Sequence, residues 1–137
     1  MNYREIIESK GFLLLAPKGN SMLPFIHPHT DIIKLINAKG PYKKYQVILF
    51  QKGPDYILHR IIKVTDSKLF CIGDNEFVTD IVDCSDVIAI MEGLYRKEKY
   101  IHSNQHLSLI FISIWHILTP LRRVIKKIHR STRGGKS

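Results

Sequence analysis

Apolar and β-branched residues come along this chain in short runs, broken at close intervals by turn formers. The runs FLLLAP, DIIKLI, YQVILF, DYILHRIIKV, KLFCI and DVIAIMEGLY are separated by KGNS, NAKGP, QKGP, TDS and GDNE, stretches rich in Gly, Pro, Asn and Asp. Six such runs with no long amphipathic helix between them predict a mostly β fold, a compact antiparallel domain over residues 12–100. Ahead of it, REIIESKG predicts a short helix closed by Gly11. The pattern changes near Ser103, which divides the chain into a β domain over 1–103 and a C-terminal segment over 104–137. In that segment LSLIFISIWHIL (107–118) is nearly all apolar. After Thr119-Pro120, Leu121, Val124, Ile125 and Ile128 recur at i, i+3, i+4 and i+7 among Arg122, Arg123, Lys126, Lys127 and Arg130. That spacing predicts a basic amphipathic helix.

Length decides what the apolar piece can do. Twelve helical residues reach roughly 18 Å against a hydrocarbon core of about 30 Å, so a full span is not expected. Two readings stay open: a helix lying in the membrane interface with Trp115 at headgroup depth, or a helix packed on the β domain, since periodicity does not separate a lipid-facing stripe from a core-facing one. Charge sharpens the first. From Leu121 to the end there are seven Lys/Arg and no acid, which leaves +2 of the net +9 for the rest. The positive surface is therefore a tail, suited to a membrane surface through residues 107–130. Without interleaved aromatics or a nucleic-acid motif, no nucleic-acid partner is expected. Cys71 and Cys84 lack metal spacing and are expected as thiols, and no cofactor is implied. The N-terminus, MNYREIIESKG, carries acids where a signal peptide needs an apolar run.

The candidate chemistry lies in three stretches. GNSMLPFIHPHTD (19–31) sets Ser21 in a loop, and a serine hydroxyl needs a base to become a nucleophile. His59 sits within DYILHRIIKV; strand alternation gives it the face of Ile57 and Ile61, where desolvation favours the neutral imidazole that a base requires. CIGDNEFVTD supplies Asp74 in a Gly-Asp-Asn turn and Asp80 six residues on, either of which could hold the imidazole's tautomer. Each has a plainer alternative: Ser21 as a loop serine, His59 as a structural histidine, Asp74 as a turn residue. His27, His29 and Asp31 could chelate a metal, but no further cluster completes a tetrahedral site, so no metal is expected.

NSMLP, LHRIIKV and GDNEFVTD, in this order and separated by strands, resemble three boxes of the S24/S26 peptidases. The likeness is to the histidine-type branch of type I signal peptidases found in archaea and the endoplasmic reticulum, and it covers roughly residues 12–95. It implies the family's all-β protease fold, with Ser21 as nucleophile, His59 as base, Asp80 as triad acid and Asp74 as a second acid. The chain departs from the family at Gly19, where a serine often helps to form the oxyanion hole, and at Thr30-Asp31, where Gly-Asp is usual. No counterpart of the family's N-terminal transmembrane anchor is expected here. The resemblance implies a serine endopeptidase that cleaves signal or leader peptides bound in extended form. Its expected place is cytoplasmic, peripheral to the inner membrane face. The alternatives are a catalytically silent peptide-binding module at the membrane surface and a LexA-like regulatory or autoproteolytic domain, the latter normally preceded by a DNA-binding unit.

Overall fold

The computed structural model describes residues 2–103 and 106–134, with the side chains of 106–108 and 130–134 left aside. Helix α1 (Tyr3–Lys10) begins at Asn2, whose side chain accepts the Glu5 N–H. It ends at Gly11, where φ is +84° and the N–H returns to the Ile7 carbonyl. Strands β1 (Phe12–Leu15), β2 (Asp31–Asn37), β3 (Val47–Lys52), β4 (Asp55–Val64), β5 (Lys68–Ile72), β6 (Asp80–Asp83), β7 (Val87–Arg96) and β8 (Lys99–His102) follow. Helices α2 (His106–Ile117) and α3 (Thr119–Gly134) close the chain. The fold is mostly antiparallel β with C-terminal helices.

The strands form one sheet in the order β1-β2-β7-β3-β4-β5-β6, with β8 also on β7. Long β7 makes this possible: β2 pairs along its length, while β3 takes residues 87–90 and β8 residues 93–96 of the other side. Central β3 reads VILF and is buried on both faces. Val47 and Leu49 join a core closed by Ile7 of α1 and by Met22 and Ile26 of the serine loop. Ile48 and Phe50 join a second core with Ile61, Leu69, Cys71 and Val82. Two strands lie outside the six runs of the sequence reading: β6 (DIVD) is too short and acidic to stand out, and β8 (KYIH) is recruited by pairing to β7.

The C-terminal helices follow the predicted apolar-then-basic pattern. Pro120 falls in the first turn of α3, where a missing N–H costs little. Hydrogen bonds from Leu118 N–H to Ile114 O and from Arg122 N–H to Leu118 O carry the helical ladder past the junction. Of the two places left open for Trp115, the structure has it packed on the β domain and not at headgroup depth. Its indole N–H donates to the Asp74 carbonyl at 2.6 Å, and its ring meets Phe25 edge-on beneath the Arg122 guanidinium. Tryptophan here fastens α2 to the β domain.

Candidate functional site

Residues from the serine loop, β1, β3 and β4 meet around one cleft of about 480 Å³. Ser21, His59 and Glu76 line it, with Met22, Leu49 and Leu58 among its apolar walls. Two strand edges run beside it. β1 is terminal in the sheet and ends at Leu15 in the cleft wall; residues 55–59 of β4 extend past β5, whose pairing starts at Arg60.

The loop that carries Ser21 is pinned at both ends. At its start Asn75 donates its backbone N–H to the Ser21 carbonyl at 2.8 Å and its side-chain amide to the Asn20 carbonyl. This approach requires Gly73, since a Cβ there would lie 2.7 Å from the Ser21 oxygen. At its far end the buried Asp31 carboxylate accepts two hydrogen bonds from Arg96 of β7, at 2.8 and 2.7 Å, and others from the His27 N–H and the Thr30 hydroxyl. Burial alone would raise the Asp31 pKa, but these donors together hold it below the ordinary value. The departure at Thr30-Asp31 thus has a structural use, and an Asp31 bound to Arg96 is not available to chelate with His27 and His29. Among the described residues no three His, Cys, Asp or Glu side chains gather as metal ligands. Gly19 lies at φ +73°, a conformation that a serine there would adopt only under strain. The Ser21 N–H donates no hydrogen bond among the described residues and is free to serve an oxyanion.

His59 is 5% exposed, packed edge-on against Phe50. Register brings Asp80 to it: Ile61 of β4 pairs with Cys71 of β5, which pairs with Asp80 of β6. His59 Nδ1 lies 3.1 Å from Asp80 Oδ2, a close polar contact without the alignment of a hydrogen bond. The other Asp80 oxygen accepts from Lys52 Nζ at 2.7 Å. The second ring nitrogen, Nε2, lies 3.6 Å from Glu76 Oε2, too far for a hydrogen bond. Burial pulls the His59 pKa below its ordinary value, against the smaller upward pulls of Glu76 and Asp80. The imidazole is accordingly held neutral, with Asp80 favouring a proton on Nδ1 and leaving Nε2 as the basic atom. The sequence alone does not mark Lys52 or Glu76. Glu76 stands inside the quoted GDNEFVTD box, whereas Lys52 reaches Asp80 only through pairing of distant strands.

Asp74 is placed elsewhere. Its fully buried carboxylate accepts two hydrogen bonds from Arg60 at 2.8 Å and a third from His116 Nε2 at 2.6 Å. Its carbonyl accepts from Trp115 and, at 3.3 Å, from Arg122. Burial would raise the Asp74 pKa, but Arg60 and His116 together outweigh it and lower it. Asp74 joins the turn behind Ser21 to the C-terminal helices, while Asp80 contacts His59. Cys71 and Cys84 are free thiols, and burial pushes Cys71 up to about 12, far from a reactive thiolate.

No family model, no curated protein and no solved structure matches the chain.

Proposed function

We propose that the chain is a serine endopeptidase that removes signal or leader segments from precursor polypeptides. The observation that carries this reading is a buried His59 in the cleft that Ser21 lines, with Asp80 at one ring nitrogen, Glu76 of the same cleft nearest the other, and burial lowering its pKa. Ser21 Oγ attacks the peptide carbonyl as His59 Nε2 takes its proton. The tetrahedral oxyanion is met by the Ser21 N–H, and the leaving amine departs with the proton from His59. Water, activated by the same imidazole, then hydrolyses the ester and restores the serine. The edges of β1 and β4 suit a substrate added as an extended strand. The ordered boxes around Ser21, His59 and Asp80, similar to those of histidine-type signal peptidases, support the leader-peptide substrate class.

The test uses peptides with small residues before the scissile bond, in detergent and in liposomes. Wild type is expected to cleave them, and both Ser21→Ala and His59→Ala to fall to background. One observation favours a catalytically silent peptide-binding module instead: among the described residues no hydrogen bond joins the Ser21 hydroxyl to His59. Labelling of Ser21 by a fluorophosphonate, lost in His59→Ala, supports the enzyme; peptide binding with an inert Ser21 supports the module.

A further inference from the structure

The two C-terminal helices carry different chemistry on opposite sides. On one side Ile112, Trp115, His116, Thr119 and Arg122 face the β domain: Ile112 is buried, and the polar members bond to Asp74 or to one another. This inward row continues through the junction at the spacing of one helix face. On the other side Ile110, Phe111, Ile114, Ile117 and Leu118 stand exposed, and α3 extends the row with Leu121, Val124, Ile125 and Ile128. Their exposures run from 42% to 72%, so the row is large branched and aromatic side chain left in water. No helix among the described residues is long and apolar enough to cross a membrane.

We infer that this outer face docks on the surface of an anionic bilayer. The row is long and continuous and passes the helix junction unbroken, which matches a helix lying in the plane of an interface. Arg123 and Lys126 lie over the Phe77 ring on the domain side of α3, opposite the row, and Lys127 is exposed, so the cations stand up to about one helix diameter, roughly 10–12 Å, from the apolar plane. That is on the order of the Debye length at physiological salt, close enough for anionic headgroups to attract them while the row enters the acyl boundary. Charge argues against a second copy of this chain. Two outer faces pressed together would align two segments holding seven Lys/Arg each from Leu121 onward and no acid. Nucleic acid would cover the cations and leave the apolar row in water. Only a surface both apolar and negative answers both features.

Co-sedimentation of the full chain with vesicles tests this. Binding is expected to phosphatidylcholine vesicles containing phosphatidylglycerol, weakened by salt, and to be much weaker with phosphatidylcholine alone. Ile117→Asp and Ile125→Asp are expected to lower partitioning by roughly ten-fold each, and Lys127→Gln by about five-fold. Lipid-borne quenchers should quench an Ile125→Trp reporter strongly and Trp115 weakly, because Trp115 stays against Asp74. Absence of binding to anionic vesicles overturns the inference, as does binding unchanged in both aspartate variants. Self-association that those variants abolish, without vesicle binding, would assign the row to a second copy and overturn it as well.

Discussion

At the scale of single residues the site turns on the protonation of His59. Burial sets its pKa below 6.5, and Glu76, then Asp80, pull it partly back. A base works neutral, so kcat/KM should rise with pH along an acid limb whose inflection lies below 6.5. Glu76→Gln removes the largest upward pull, and the limb should move further toward acid while the plateau stays within about two-fold. A limb that moves toward neutrality would contradict this role for Glu76. Stability follows the same sign. The folded state binds fewer protons than the unfolded one just below pH 6.5, so this contribution is complete above that pH and is lost as pH falls through the folded-state value. The sequence made His59 legible because its isoleucine neighbours announce burial. It left Glu76 silent, because a carboxylate two residues from a buried arginine's partner carries no local mark of facing an imidazole.

At the scale of elements, the Gly73–Glu76 turn does more than reverse the chain. Asn75 holds the Ser21 carbonyl, Glu76 faces His59, and Asp74 binds β4 and α2. Asp74→Asn would leave the Arg60 guanidinium buried without its anion, a loss of about 3–5 kcal/mol in urea unfolding. His116→Ala removes one charge-assisted hydrogen bond and should lose only about 1.5–3 kcal/mol. Equal losses would show that the helix contact, not the Arg60 pair, carries the stability. The helices themselves were legible from their periodicity. Their inward face was not, because Trp115 and His116 owe their orientation to a carbonyl and a carboxylate some forty residues away in sequence.

At the scale of the whole molecule, the strand runs and the mostly antiparallel β class could be read directly, and the strand order could not. Alternation records which face is buried, but not that β7 would insert between β2 and β3, nor that β6 would bring Asp80 beside β4. Composition draws a boundary near Ser103, yet hydrogen bonds from Trp115, His116 and Arg122 cross it to Asp74. A practical consequence concerns any attempt to isolate a minimal core. A fragment ending at Ser103 would lose the cover over Arg60 and Asp74, and its serine loop should become the first site nicked in limited proteolysis, with a lower melting temperature than the full chain. A fragment that melted with the full chain and resisted nicking would mean that the helices merely rest on a self-sufficient sheet. Otherwise the tail that looks detachable by composition is a keystone, and trimming it for convenience would dismantle the arch it closes.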